Sequence, residues 1–270
     1  MRQISIRDRL PYDAAWAAAC VMALFTLYDL STGGFGYDCR AYWLAARHID
    51  YSLGPGEPNA FLYSPAFAQV LSPFGHLPFP AFATLMSVAA TAGIWWLLAP
   101  LSLRLRIPIL IACSYEITSG NVFWALAISA VLGQRFAGAW VVPALTKITP
   151  CLGPVWFAAR GEWRRLAIFC GCLAVVVGVS VAANTAAWVD WTSFLAHRSH
   201  GGYTGALPVP LAVRVVIAVA VTVLAARTDR VWLLPVGMAM ATPVFAFAAL
   251  TMLCAIPRLR AMQREAAGVS

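Results

Sequence analysis

The chain has 270 residues, of which 61% are hydrophobic and only 11% are charged, and its mean hydropathy is +0.75. Soluble domains are usually about a quarter charged, so this composition excludes an ordinary soluble protein and indicates several membrane spans. The formal net charge is +8, but the arginines collect at the ends of apolar segments, as in cytoplasmic loops. We therefore expect membrane lipids as partners and no nucleic acid.

The first apolar segment runs from Pro11 to about Asp29 and follows Arg2, Arg7 and Arg9. Proline suits the first turn of a helix, and the preceding arginines favour a cytoplasmic N-terminus. We expect an uncleaved first span of a multi-pass protein in the plasma (inner) membrane.

The chain continues with two external loops, at about residues 31–79 and 184–208. The first is rich in proline and aromatic residues, which predicts helices lying in the membrane interface. Apolar spans are predicted at about Pro80–Leu101, Leu166–Ala183 and Pro208–Ala226.

Two further apolar segments are interrupted, Ile107–Leu132 by Glu116 and Gly120-Asn121, and Ala137–Ala159 by Lys147. The part before the first break is too short to cross a hydrocarbon core of about 30 Å. Each segment is therefore either one bent span or a short hairpin. Irregular backbone is not tolerated against lipid, so the breaks are expected to line a cavity.

The two alternatives differ in the side of the membrane on which Arg135 lies, and the positive-inside rule weakly favours the hairpins. Val231–Ile256, which contains Thr242-Pro243, is a third hairpin if the arginine-rich tail is cytoplasmic. The predicted fold is an all-α, polytopic membrane protein with about 8–10 membrane helices, including short broken pairs. It forms a single integral membrane domain, residues 1–270.

Asp38 lies in the polar segment Gly33–Arg47, directly after the first span. Neighbouring glycines let backbone approach a ligand, and a carboxylate at the membrane boundary can act as a general base. The alternative is that Asp38 is the N-cap of a helix over Arg40–Ile49. Asp29 is a competing carboxylate, although it lies at a helix end that disfavours negative charge.

Lys147 is the only lysine among the 19 basic residues. It either binds an anionic headgroup, such as a lipid phosphate, or is a snorkelling or salt-bridged structural residue. Glu116 is a second acid, a partner of Lys147 or part of a structural ion pair. Asn121 either binds substrate or caps the next helix. Arg214 either reaches a phosphate or snorkels outward, and snorkelling is favoured.

Aromatic residues accompany these polar groups. Tyr42 and Tyr63 are candidates for stacking on a sugar ring or an isoprenoid tail, whereas Trp43 and Phe67 are interpreted as interfacial anchors. No phosphate-binding glycine loop, dinucleotide fingerprint, Gly-x-Ser-x-Gly or His-Glu-x-x-His motif occurs. The seven cysteines show no metal-ligand spacing. No cofactor and no metal site are expected.

The order of the motifs resembles glycosyltransferase family 87. Residues 36–46, Gly-Tyr-Asp-Cys-Arg-Ala-Tyr-Trp-Leu-Ala-Ala, are similar to the first external loop of that family. Residues 61–67 are similar to its Tyr-x-Pro stretch, 119–121 to its Gly-Gln/Asn break and 144–150 to its Lys-x-x-Pro helix. Residues 241–243 are weakly similar to a later Ser-Pro element.

The resemblance implies a GT-C type enzyme that uses a polyprenyl-phosphate sugar. Asp38 would be the general base that activates an acceptor hydroxyl, and Lys147 would hold the phosphate with Arg40 or Arg214 as helpers. The sugar would be a hexose, mannose-like, or a pentose, moved to a lipid or glycan acceptor of the cell envelope. The residues expected to bind substrate are Lys147, Arg40, Tyr42, Tyr63, Asn121, Glu116 and Arg214.

Two other functions remain open at the level of sequence. A transporter or lipid-handling protein would also contain broken helices and a buried cation. A non-catalytic relative that acts as a cell-envelope scaffold is compatible with a chain that is short for the family. The particular sugar, acceptor and linkage, and the oligomeric state, are not specified by any motif.

Overall fold

The computed structural model describes residues 6–197, 205–266 and 268. Within these ranges the chain forms fourteen α-helices and four 3-10 helices and no β-strand, which confirms the all-α prediction. The α-helices are α1 Ile6–Ser31, α2 Tyr37–Ala45, α3 Pro65–Leu71, α4 Phe79–Leu97, α5 Leu103–Ala112, α6 Ser114–Ser119, α7 Phe123–Leu132, α8 Val141–Thr146, α9 Gly153–Arg160, α10 Trp163–Ala183, α11 Thr185–His197, α12 Leu211–Arg227, α13 Leu234–Met240 and α14 Ile256–Ala266. The 3-10 helices are Ser72–Phe74, Ala137–Trp140, Val231–Leu233 and Phe247–Ala255.

Among the described residues, three helices are long and apolar enough to cross a membrane, over Leu10–Ser31, Phe79–Leu97 and Trp163–Ala183. At 1.5 Å per residue, the 19 residues of the second give about 28 Å, close to the thickness of the hydrocarbon core. Apolar side chains on these helices point outward; Val175 and Val179 are 66% and 68% exposed. Such exposed apolar surface suits contact with lipid.

One end of the molecule collects arginines, and we call it the basic face. The Arg165 guanidinium donates to the carbonyls of Gly133 and Gln134, at 2.8 and 2.5 Å. The end of α7 therefore lies beside the start of α10, and Arg135 is on the same side as Arg165. This confirms the hairpin alternative for the first broken segment, because a bent span would have placed Arg135 at the opposite end.

The C-terminal tail also returns to the basic face. Arg258 Nε donates to the carbonyl of Trp96, in the last turn of α4, at 2.6 Å. Val231–Ile256 is therefore a third hairpin, as expected for a tail on the arginine-rich side. The basic face comprises Arg104, Arg106, Arg135, Arg160, Arg164, Arg165, Arg227, Arg230, Arg258, Arg260 and Arg264.

The tips of the broken segments meet inside the protein. The first tip is Gly120-Asn121, the second is residues 147–152 and the third is residues 241–243. Thr149 Oγ1 donates to the carbonyl of Ala241 at 2.5 Å and joins the second tip to the third. Asn121 is only 7% exposed, so the irregular backbone of the first tip is covered by protein, as a lipid environment requires.

The predicted external loop at about 184–208 contains a helix in its first half, α11, which begins at Thr185. Asn184 Oδ1 accepts the N–H of Ala187 at 3.1 Å and satisfies an orphan donor of the helix start. Trp191 and Phe194, three residues apart, are then buried on one face. This packing stabilises a helix that polar composition alone did not indicate, and residues 198–204 lie outside the described part.

Candidate active site

Asp38 lies in the first turn of α2. The helix begins after Gly36, whose φ of 73° is readily adopted only by glycine. The N–H of Gly36 donates to the carbonyl of Thr118 at 2.8 Å, which holds α2 against the end of α6. The N-cap alternative for Asp38 is therefore wrong, because Gly36 occupies that position and the carboxylate has another partner.

That partner is the buried side chain of Asn121. Its Oδ1 accepts the N–H of Val122 at 2.8 Å, which fixes the orientation of the amide. Its Nδ2 then donates to Asp38 Oδ2 at 3.0 Å. In the described part of the chain Asp38 Oδ1 makes no hydrogen bond, and the side chain is half-buried. Asn121 binds Asp38 rather than acting as the N-cap of α7, which is Val122.

Gly120 makes this approach possible. It ends α6 in the left-handed region, with φ 72°, and a Cβ there would lie 2.7 Å from the Cβ of Cys39. The tip therefore packs directly on α2. Burial, followed by the nearby Asp38 charge, raises the pKa of the Cys39 thiol to about 12, so the thiol is neutral at physiological pH.

Lys147 follows the end of α8 in an extended conformation, with φ −127° and ψ 92°. The carbonyl of Leu145 has no partner within so short a helix. It accepts hydrogen bonds from the N–H and the Oγ of Ser64, at 3.3 and 2.6 Å. This pair of bonds places the neighbouring Tyr63 beside Lys147.

The Lys147 ammonium lies over two aromatic rings. Nζ is 4.1 Å from the centroid of Phe123 and 5.3 Å from that of Tyr63. The three ion pairs in the described part of the chain join Arg160 or Arg165 to other residues, so the salt-bridged alternative for Lys147 is wrong. Its positive charge is stabilised there by ring faces and not by a carboxylate.

Tyr42 and Tyr63 complete the aromatic wall. Their hydroxyl oxygens are 2.9 Å apart, and their rings meet edge to face at 5.1 Å. Tyr42 is 1% exposed, and burial, then the nearby Tyr63 and Asp38, raise its pKa well above the ordinary value. Tyr42 is therefore a neutral phenol that can donate one proton within this pair.

Glu116 is buried close to the first tip, Gly120-Asn121. Its Oε1 accepts the N–H of Trp124, in the first turn of α7, at 3.1 Å. Its Oε2 has no hydrogen-bond partner in the described part of the chain. No ion pair joins it to Lys147 there, so the structural ion-pair interpretation is wrong, and the observed contact is to the start of α7.

Two predicted site residues are not part of this group. Arg40 is exposed, with its guanidinium 5.6 Å from the ring of Phe79. Arg214 is 0% exposed, so the snorkelling prediction is wrong: its guanidinium binds carbonyls that the third tip leaves unpaired. It donates to the carbonyls of Val209, Met240, Thr242 and Pro243.

Two residues of the site were not predicted from the sequence. Phe123 resembled an ordinary core residue, and only its position two residues after Asn121 was a usable signal. Ser64 belonged to the Tyr-x-Pro stretch but had no assigned role. The segment from Asn121 to Phe123 contacts Asp38 at one end and Lys147 at the other, although these two residues are far apart in the sequence.

Comparison with protein families gives a match to the model of glycosyltransferase family 87, which aligns with residues 61–269. The match covers more than half of the chain and includes Tyr63, Asn121 and Lys147. It extends well beyond residue 165, where the recognisable motifs end, and it begins after Asp38. Neither curated proteins nor solved structures give a match.

Proposed function

Because the chain belongs to glycosyltransferase family 87 and is a membrane glycosyltransferase, we propose that it uses a polyprenyl-phosphate sugar as donor. It transfers a hexose, mannose-like, or a pentose to a lipid or glycan acceptor, in the manner of GT-C type enzymes. The basic face lies on the cytoplasmic side of the plasma (inner) membrane, as the positive-inside rule predicts. The candidate active site, at the opposite ends of α1 and α4, then works on the outer side.

The observation that carries this proposal is the segment Asn121–Phe123. Asn121 binds the carboxylate of Asp38 at 3.0 Å, and the ring of Phe123 lies 4.1 Å from the Lys147 ammonium. One short piece of backbone therefore holds an acceptor of protons and an unneutralised cation near each other. Transfer of a sugar from a polyprenyl phosphate to a hydroxyl needs a base for the hydroxyl and a cation for the leaving phosphate, on either side of the anomeric carbon.

Asp38 acts as the general base. The acceptor hydroxyl forms a new bond from its oxygen to the anomeric carbon, and its proton passes to Oδ1 of Asp38. Oδ2 is occupied by Asn121, which fixes the direction in which the free oxygen points. A positioned base of this kind contributes about 10²–10⁴ in rate.

Lys147 stabilises the leaving group. The bond from the anomeric carbon to the phosphate oxygen breaks, and its electron pair leaves with the polyprenyl phosphate. A fixed ammonium is most effective where this charge develops, since it needs no reorganisation during the reaction. The faces of Tyr63 and Phe123 hold it in place without neutralising it. No cofactor enters this scheme.

The test is sugar transfer in isolated membranes, with a panel of radiolabelled polyprenyl-phosphate sugars. Wild type is compared with Asp38→Asn at matched expression, and Asp190→Asn, an exposed carboxylate on α11, is the control. We expect transfer by wild type and by the control, and a loss of about 10²–10⁴ in Asp38→Asn.

Each other result has a definite meaning. If Asp38→Asn still transfers sugar, the general base is another carboxylate, and Asp29 at the end of α1 is the next candidate. Absence of transfer from every donor, with lipid and glycan acceptors supplied, would favour a transporter or a non-catalytic scaffold instead.

A further inference from the structure

Two arginines lie on the basic face at the C-terminal end of α4. Arg258 Nε donates to the carbonyl of Trp96 at 2.6 Å. Arg106 Nη2 donates to the carbonyls of Ala99 and Leu101, at 2.5 and 3.3 Å. Both guanidinium groups are therefore gathered around one helix end, where unpaired carbonyls and the helix dipole attract cations.

Each guanidinium also stacks on a tryptophan of the last turn of α4. The Cζ of Arg106 is 4.6 Å from the ring centroid of Trp95. The Cζ of Arg258 is 3.8 Å from the ring centroid of Trp96. The rings cover one face of each guanidinium and restrict its rotation. The remaining N–H groups at the edges are thereby held in fixed directions.

The charge of this pair is not compensated by the protein. In the described part of the chain every ion pair involves Arg160 or Arg165, so neither Arg106 nor Arg258 has a carboxylate within 4 Å. Arg106 Nε is buried without a hydrogen-bond partner there. The two cations are neighbours, because they stack on the adjacent residues Trp95 and Trp96. Burial, and after it the neighbouring Arg106 charge, lowers the pKa of Arg258.

We propose that Arg106 and Arg258 together bind the phosphate of an anionic phospholipid headgroup. Guanidinium edges match the geometry of phosphate oxygens, and an anion would relieve the repulsion between the two arginines. The candidate span of α4 ends at Leu97, so the pair lies at the level where headgroups meet tryptophan rings. This position favours a lipid over a free phosphate ion.

The experiment uses the full-length protein in phosphatidylcholine bilayers, with and without added phosphatidylglycerol. The measured quantity is the increase in thermal unfolding midpoint that phosphatidylglycerol causes, compared among wild type, Arg106→Gln, Arg258→Gln and Arg264→Gln. Arg264 is an exposed arginine of the same helix as Arg258, so its replacement removes the same charge. A third arm adds inorganic phosphate to phosphatidylcholine bilayers.

We expect phosphatidylglycerol to raise the midpoint of wild type and Arg264→Gln by about 2–4 °C, as for a ligand at several times its Kd. The increase should be lost in Arg106→Gln and in Arg258→Gln.

An increase that all four proteins share would show that the two arginines only cap α4. An equal loss in Arg264→Gln would show that net charge alone matters. An increase with inorganic phosphate would identify the free ion, and each of these three results overturns the proposal.

Discussion

Arg160 and Arg165 of the basic face have carboxylate partners, whereas the charged groups of the candidate active site do not have partners of opposite charge in the part of the chain that the structure describes. At the basic face Arg160 pairs with Glu162 at 2.7 Å and also with Asp229, and Arg165 pairs with Glu162 at 2.8 Å. Within the described residues, the contacts of the Lys147 ammonium at the candidate site are with ring faces, and Asp38 accepts a hydrogen bond from one amide.

The difference separates structural charges from candidate functional ones. Near water, an arginine can pair with a carboxylate or cap a helix at little cost. Deeper in the protein, a charge without a counterion is expensive and is by default evidence for a functional site. On this basis the single lysine is of greater functional interest than most of the eighteen other basic residues, since Lys and Arg total 19.

The largest effect in this comparison is expected at Lys147. Lys147→Met removes the cation and should lower sugar transfer by about 10²–10³, as for other groups that stabilise developing charge. Lys147→Arg keeps the charge and should retain more activity than Lys147→Met. Activity is measured in membranes at matched expression, beside Arg164→Gln, which removes an exposed charge of the basic face. Equal activity in Lys147→Met and wild type would contradict the proposed role.

Gly120→Ala should have the next largest effect. The new Cβ would meet Cys39 at 2.7 Å and would force a side chain into φ 72°, which costs about 1–3 kcal/mol. We expect a lower unfolding midpoint in detergent and reduced transfer, because Asn121 moves away from Asp38. Gly171→Ala is the control, since no atom lies within 4 Å of its Cβ and alanine favours the helix. An unchanged Gly120→Ala protein would show that the tip is loosely packed.

Ser64→Ala should have a moderate effect. It removes the 2.6 Å hydrogen bond to the carbonyl of Leu145, which is worth about 1 kcal/mol, and loosens the contact between Tyr63 and Lys147. The unfolding midpoint and the transfer rate should both fall slightly. Ser72→Ala is the matched control, because that hydroxyl binds only within its own turn, to Gln69. A fall of the same size in the control would refute a specific role of Ser64.

The smallest effect is expected at the basic face. Glu162→Gln disrupts ion pairs with Arg160 and Arg165, whose side chains are 31% and 28% exposed. Such pairs contribute about 0–1 kcal/mol. We expect a small change in the unfolding midpoint, and this change should be smaller at high salt. The rate of sugar transfer should not change. A marked loss of sugar transfer in Glu162→Gln would contradict the distinction between structural ion pairs at the basic face and functional charges at the candidate site.

The hairpins show how much of the fold could be predicted from local sequence. Glu116, Gly120 and Lys147 marked the breaks because polar groups and glycine interrupt apolar runs. The positive-inside rule only weakly favoured the side of Arg135, and the structure decided it. Arg214 shows the limit. A lone arginine near a helix end suggested snorkelling, but the carbonyls that bind it belong to a break at residues 240–243.

The sequence by itself determined the class of protein, three of the four predicted long spans and the positions of the breaks. The fourth, Pro208–Ala226, is the shorter helix α12 in the structure. These features depend on hydropathy, charge and backbone preferences, which are properties of short stretches. Only the tertiary structure decided that Asn121 binds Asp38, which is 83 residues away, and that Lys147 rests on Phe123. Such contacts depend on how the first hairpin tip packs against α2 and how the end of α8 packs against Tyr63 and Ser64. No local pattern encodes that arrangement.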